Sequence, residues 1–382
     1  MFNYDAMNVL AQIALRSVEQ SRVKEVASAF DTASIPFDCK LWRSTGFSDS
    51  TIYRISNELG TFAIRSWPDR FWTPPKVAFW LSINNSFAVS EENLRAVGAS
   101  NPVPFPGIYG WHSPGEPAAS LLHFENHLWT LCDWVQGQSI AVGNVSKVLV
   151  QHLATVLGRL HKHSRDALDP MGEPLGQQRM ASSSIRERLE SLKNADHRLF
   201  VAITVAAFLS THNLAERMMH CLAIVLERKS NWLRFLMICE SQLRPCHWIV
   251  RDLWRENVLL DESLRFSSIV DLGASRFDWP GLDFTRLFGS LSYEVESCLN
   301  ADTTHGDDLW MHAYAAYIQE HPSHSIPSLD ECRMLNLVSN GLSILQWLRW
   351  VNERTIDLSD AGKSERVVKR IAELCDRFLR EA

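Results

Sequence analysis

Hydrophobic positions repeat at two spacings along this chain, and the change of spacing divides it. Val9, Leu10, Ile13, Leu15, Val18 and Val23 fall at mixed three- and four-residue intervals, which predicts one or two amphipathic helices in the first 30 residues. Short β-rich runs follow at 40–43, 51–55 and 61–67, divided by the turn-prone stretches 44–50 and 57–60, and they predict a three-stranded antiparallel meander. Pro75 suits a first helical turn, and Val77, Leu81 and Asn84 follow at helical spacing, so a helix is expected over 75–87. Pro102, Pro104 and Pro106 force 101–106 to run extended. Two further strands are expected at 121–124 and 128–134, with a turn at 125–127.

Beyond Gly137 the period lengthens. Val148, Leu149, Leu153, Val156, Leu157 and Leu160 form one stripe and predict an amphipathic helix over 145–164. A polar, Gly/Pro-punctuated loop is expected over 173–184, then helices at 185–192, 196–208, 214–229 and 233–243. Helices return toward the C-terminus, including 335–353 and 364–380. The stretch 246–271 interrupts them with two apolar runs, 258–260 and 267–270, joined by a polar turn at 261–263, which reads as a small hairpin. No fixed-period repeat is evident, which argues against a solenoid. The organisation expected is α+β: an N-terminal helical extension (1–38), a small strand-rich lobe (39–137) and a larger helical lobe (138–382) with one hairpin.

Composition narrows the function. The 38 Lys and Arg against 44 Asp and Glu give a net charge of −6, whereas a general nucleic-acid binder needs a basic balance to displace counterions from phosphates. No apolar run nears the ~20 residues of a membrane span, and Asp5, Arg16 and Glu19 break up the start of the chain, unlike a signal peptide. A cytoplasmic protein is the expectation, with no nucleic acid or membrane as partner. The eight cysteines form no Cys-x-x-Cys pair, and His161 and His163, two apart on a helix, face different ways, so neither a disulfide framework nor a zinc site is expected.

The chemistry-bearing segment is Arg251-Asp252-Leu253-Trp254-Arg255-Glu256-Asn257-Val258-Leu259-Leu260, followed by Ile269-Val270-Asp271-Leu272-Gly273. It sets an Asp on a loop, an Asn five residues later at the start of a β run, and a second Asp at the end of the next run. Phosphoryl transfer needs a carboxylate to accept the proton of an attacking hydroxyl, with an amide and a carboxylate to hold Mg²⁺ against the phosphates. Mg²⁺ takes hard oxygen ligands and few carboxylates, which suits Asn257 with Asp271. Taken singly, Asp and Asn in turns are commonplace; the spacing and the flanking β runs favour the chemical roles.

This segment resembles the catalytic loop of protein kinases and of the aminoglycoside and choline phosphotransferases, and Asp271-Leu272-Gly273 resembles their metal-binding Asp-x-Gly. The similarity is greatest to the aminoglycoside phosphotransferase family. Leu157-Gly158-Arg159-Leu160-His161 resembles that family's leucine/histidine helix, and 274–291 its continuation with a further aspartate, Asp283. The resemblance implies a two-lobed protein-kinase-like fold, with a nucleotide-binding N-lobe and an acceptor pocket in the helical C-lobe. It implies ATP and Mg²⁺ as cofactors and transfer of the γ-phosphoryl group to a hydroxyl of a small molecule. Asp252 is then the catalytic carboxylate, Asn257 and Asp271 the metal ligands, and Asp283 a support for the catalytic segment, although a helix N-cap reading stays open for it.

Other positions follow from the same resemblance. Gly46 and Ser48 stand in the stretch that would cover the phosphates, where an ordinary hairpin turn is the alternative. Arg65 occupies the strand position where kinases keep a phosphate-contacting lysine; it keeps the charge, and a solvated strand arginine is the alternative. Asp133 and Trp134 fall in the hinge that would line the adenine pocket. Val250 stands where these families commonly have histidine, and 75–87 holds no glutamate to pair with Arg65. These departures leave a second reading open, a kinase-like fold without catalysis that serves as a binding or scaffold module. Most of the fourteen tryptophans are expected in the core.

Overall fold

The structure, a computed structural model, describes residues 38–45, 51–57, 60–68, 108–109, 122–124, 127–141, 145–166, 179–195, 214–298, 304–321, 326–352 and 361–382. The elements expected at 1–30, 75–87, 101–106 and 196–208 lie outside the described residues, as do Gly46 and Ser48.

In chain order the strands β1 (Asp38–Thr45), β2 (Thr51–Asn57), β3 (Gly60–Pro68), β4 (Ile108–Tyr109), β5 (Leu122–Phe124), β6 (His127–Asp133) and β7 (Gln138–Ser139) come first. Helix α1 (Lys147–Asp166), strand β8 (Arg179–Met180), and helices α2 (Ser183–Lys193) and α3 (Ala215–Ser241) follow. The short strands β9 (Arg244–Pro245), β10 (His247–Ile249), β11 (Val258–Leu260), β12 (Phe266–Ile269) and β13 (Arg276–Asp278) precede the last four helices. These are α4 (Gly281–Cys298), α5 (Thr304–Glu320), α6 (Leu329–Asn352) and α7 (Ala361–Glu381). The chain divides into two compact units, Met1–Ser139 with Glu256–Gly273, and Ile140–Arg255 with Ala274–Ala382.

In the first unit the expected meander is present. The described strands run in the order β1-β2-β3-β6-β4, all antiparallel, with β5 paired to β6. Tyr53 and Ile55 on β2, Phe62 and Ile64 on β3, and Trp129 and Leu131 on β6 are buried at alternate positions, and Tyr53 pairs with Ile64, which pairs with Leu131. One face of the sheet is thus apolar, which leaves Ala63, Arg65, Thr130 and Cys132 to the other. The hairpin of β11 and β12 also forms as expected, and β7 adds a third strand to it. Gly137 permits that addition: a Cβ there would lie 2.8 Å from the Leu260 carbonyl oxygen.

The second unit is mainly helical. Its core joins α2, α3, α6 and α7 through residues such as Leu189, Val225, Trp232, Leu345 and Phe378. Helix α3 is a single 27-residue helix where two were expected. Its buried positions Met218, Val225, Trp232 and Cys239 recur every seven residues, so the apolar stripe stays in phase through Ser230-Asn231, and polar residues alone do not end a helix. The loop expected over 173–184 also holds structure. Arg179–Met180 pairs with Arg244–Pro245, a partner remote in sequence, and Ser182 caps α2 by accepting the Ile185 amide at 3.2 Å.

Helices α1 and α5 approach closely at Gly158, where a Cβ would lie 2.9 Å from Glu320 Cβ and 3.1 Å from the Tyr317 carbonyl oxygen. Arg159 and Glu320 pair at 3.0 Å beside it. Gly158→Val is expected to force the helices apart and cost ~1–3 kcal/mol, as overpacking does. Urea unfolding checks this; a variant of wild-type stability would mean that the helices accommodate the side chain.

Candidate active site

Asp252 lies on the loop that leaves β10, in the second unit. The loop turns sharply: Arg251 sits at φ 69°, a left-handed conformation that side chains disfavour, and the Asp252 amide donates to the Val250 carbonyl at 2.9 Å. What holds the turn is Asp283 in the first turn of α4. Its Oδ2 accepts the Val250 N–H at 2.7 Å and its Oδ1 the Arg251 N–H at 2.6 Å. The side chain of Asp283 therefore clamps a separate loop and does not cap its own helix. The Arg251 guanidinium reaches away to Glu187 at 2.7 Å, which also takes three bonds from Arg276. Asp252 itself is half-exposed, with Arg286 Nη2 at 3.4 Å from Oδ1.

Behind Asp283 lies a buried polar cluster. His161 of α1 places Nε2 at 3.2 Å from Asp283 Oδ2 and Nδ1 at 2.7 Å from the Tyr317 hydroxyl of α5. Burial holds His161 down to about 3, so the ring is neutral; its Nε2–H donates to the carboxylate, and Nδ1 accepts from Tyr317. Burial pushes Asp283 up to about 7 against the pull of the Val250 and Arg251 amides. The His247 ring packs 5.1 Å from His161 and 5.9 Å from His321. His247 Nδ1 bonds the Trp248 carbonyl at 2.9 Å, and burial, reinforced by His161, holds it well below its ordinary value.

In the first unit, Asn257 ends a single 3-10 turn (Arg255–Asn257) and Asp271 follows β12. The Val270 amide donates to the Asn257 carbonyl at 2.8 Å, and Val258 pairs with Ile269, so both residues stand at one end of the hairpin. Asn257 is buried. Asp271 is left-handed at φ 62°, with its side chain 43% exposed. Arg65 of β3 donates from Nη2 to Asp271 Oδ1 at 2.6 Å. An amide oxygen, a carboxylate and a guanidinium within one unit form a hard-oxygen donor set beside a cation, the chemistry that a divalent metal and phosphate groups require.

Similarity to known proteins decides the family. Residues 43–319 match the phosphotransferase enzyme family. The chain belongs to that family. Solved structures share its fold at low sequence identity. A spectinomycin phosphotransferase is 11% identical, with 94% of this chain and 98% of that one covered and a TM-score of 0.56. An amicoumacin kinase is 14% identical, with 96% of each chain covered and a TM-score of 0.52. A microcompartment-associated aminopropanol kinase is also 14% identical, with 95% and 99% covered and a TM-score of 0.50. The fold is the protein-kinase-like one, α+β with a small antiparallel sheet and a larger helical part. No curated protein matches the chain.

Within this phosphotransferase-family chain, Arg65, Asn257 and Asp271 come together in the first unit, and Asp252 stands in the second on a loop fixed by Asp283. Asp133 closes β6 opposite Phe62, and Trp134 follows it, its amide donating to Thr61 at 3.0 Å and its ring lying 5.0 Å from the Arg54 guanidinium. The sequence resemblance singled out His161, but sequence reasoning missed Arg286, Glu187 and the packing of His161 with His247 and His321. Arg286 carried a signal, since three residues after Asp283 on a helix is the same face. The histidine cluster carried none, because its members are 86 and 74 positions apart along the chain.

The cluster sets a pH dependence. His161 and His247 titrate below their ordinary 6.5 in the fold, so on acidification the unfolded chain takes up protons that the folded chain refuses, and stability falls as pH drops from 6.5. Asp283 acts in the opposite sense: its contribution favours the fold at low pH and is lost as pH rises through about 7. His247→Gln is expected to flatten the decline in stability below pH 6.5. Urea midpoints measured across that range test it, and an unchanged slope would show that His247 is protonated in the folded chain.

Proposed function

We propose that this protein transfers the γ-phosphoryl group of ATP, with Mg²⁺, to a hydroxyl of a small molecule. The observation that carries the reading is Arg65 on Asp271, with Asn257 at the same hairpin end. It supports a phosphate-contacting cation and a metal-holding pair in one unit, in a chain of the phosphotransferase enzyme family. The spectinomycin phosphotransferase is described in complex with ADP and spectinomycin, and the amicoumacin kinase in complex with AMP-PNP and Ca²⁺; nucleotide and divalent cation are carried over from these by analogy.

In this reading Asn257 Oδ1 and the Asp271 carboxylate hold the metal, which when bound neutralises charge on the phosphates. Arg65, already at Asp271 Oδ1, offers its remaining N–H groups to phosphate oxygens. Asp133 and Trp134 line the adenine site, and Gly46 and Ser48 serve the phosphates. Asp252 accepts the proton of the acceptor hydroxyl as the new O–P bond forms and the bond to the β–γ bridging oxygen breaks, with ADP leaving. The division into an extension (1–38), a nucleotide-binding lobe (39–137) and an acceptor-binding lobe (138–382) belongs to the same proposal. So does a place in the cytoplasm, where ATP and Mg²⁺ are abundant. No described helix is long and apolar enough to cross a membrane.

Calorimetric titration with ATP, with and without Mg²⁺, tests the reading. Metal-dependent binding is expected in the wild type and a loss of at least ~10-fold in Asp271→Ala, since a charged ligand is removed. Asp252→Asn should keep ATP affinity and lower kcat by ~10²–10⁴, the usual worth of a general base. A folded wild-type protein that binds no nucleotide at millimolar concentration would sink the proposal and favour the scaffold reading.

A further inference from the structure

Beside the catalytic loop the second unit concentrates arginine. Trp254, two residues after Asp252 and buried, is flanked by Arg286 at 5.0 Å and Arg370 at 3.2 Å from its ring centroid. Arg286 also reaches Asp252 Oδ1 at 3.4 Å. Arg255 and Arg370 share one carboxylate oxygen, Glu373 Oε2, at 3.9 and 3.7 Å. Arg377 is buried on α7; its Nη2 bonds Asn340 Oδ1 at 2.7 Å, and its Nε has no hydrogen-bond partner among the described residues. Arg188, half-buried on α2, bonds two neutral oxygens, Ser339 Oγ and the Ser184 carbonyl, each at 3.0 Å.

The acids nearby are largely committed elsewhere. Glu187 serves Arg251 and Arg276; Asp278 accepts from Ser183, Ser184 and the Trp279 amide; Glu381 accepts from Asn336 and Asn340. Burial, then like charge, lowers both Arg188 and Arg377 to about 10, and Arg286 is a positive neighbour of each. Asp278 and Glu187 offset part of this at Arg188 and Glu381 at Arg377, and the half-exposed Asp252 lies beside Arg286. Burying guanidinium groups without matching carboxylates is unfavourable, so a fold that retains them gains from an anion placed there. Arg286 is the group such an anion would meet: its fork has N–H groups beyond the one on Asp252, and its charge offsets the repulsion between Asp252 and an anionic ligand.

Resting on the phosphotransferase reading above, we propose that the acceptor is an anion, a small hydroxylated molecule whose carboxylate or phosphate lies against Arg286 and Arg370 while its hydroxyl faces Asp252. The hydroxyl oxygen bonds the γ-phosphorus, its proton passes to Asp252, and ADP departs with the bridging electron pair. An amino-alcohol or aminoglycoside cation would meet like charge at the same place.

The test uses the full chain at constant ionic strength. ATP–Mg²⁺ binding is measured first by calorimetry. Thermal stabilisation and transfer of labelled γ-phosphate are then compared for gluconate against sorbitol, glycerol 3-phosphate against glycerol, and ethanolamine. At least one anion is expected to stabilise saturably and to accept phosphate at least ~10-fold more efficiently than its neutral partner. Half-saturation should weaken ~10-fold or more in Arg286→Gln and Arg370→Gln, and less in Arg286→Lys, which keeps the charge. Response to gluconate alone assigns the group as a carboxylate, and to glycerol 3-phosphate alone as a phosphate. Nucleotide binding with stabilisation by ethanolamine, or with no anion response, overturns the anionic acceptor and leaves the phosphotransferase. Anion binding equal in all variants also overturns it. Variant-sensitive anion binding without nucleotide binding sinks the phosphotransferase reading, and the acceptor role with it.

Discussion

A carboxylate with no exposed surface, Asp283, takes the amide protons of Val250 and Arg251, and the shape of the loop that carries Asp252 hangs on those two bonds. Burying a carboxylate is costly by several kcal/mol unless its lone pairs are filled, and here two amides and the His161 ring fill them. The return is a backbone conformation that the loop would not adopt alone, since Arg251 in the left-handed region is disfavoured by ~1–2 kcal/mol. The clamp extends outward in turn. His161 is oriented by Tyr317, and the two helices that bear them meet at Gly158, so a helix crossing and a loop conformation are parts of one arrangement.

The first unit meets a similar demand with the opposite charge. Asp271 is also left-handed, but its side chain is 43% exposed, open to a ligand in the proposed reading. It is held at its base by the Val270–Asn257 bond and at its tip by Arg65. Arginine suits that second task better than lysine would. One arm of its fork engages the carboxylate while the remaining N–H groups keep a fixed direction, whereas an ammonium would offer a single point charge.

The legible part of this structure was local. The alternating runs of β2 and β3, the hairpin at 258–269 and, apart from the exposed Val148, the stripe of α1 were readable because each is set by neighbours in sequence and by burial of one face. That Asn257 and Asp271 stand at one end of the hairpin was readable because a hairpin fixes where its two ends lie. The joining of 214–243 into one helix was missed because exposed Ser230-Asn231 looked like a break, while the seven-residue recurrence that overrides it shows only over four turns. The pairing of β8 with β9, the Arg65 partner and the His161–Asp283–Tyr317 cluster all join segments at least 60 residues apart, and periodicity does not encode which distant segments meet.

The departures from the usual catalytic-loop sequence fall where that clamp tolerates them. Asp283 holds the loop through main-chain N–H groups, which every residue but proline supplies, so Val250 can differ from the common histidine without loosening the turn. The Val250 side chain packs in the core, and that of Arg251 goes to Glu187. What the clamp does not fix is the charge beside the Asp252 carboxylate. That falls to side chains such as Arg286, one helical turn beyond Asp283 and in contact with Asp252. A single helix, α4, thus sets the loop with one residue and the charge beside its carboxylate with another.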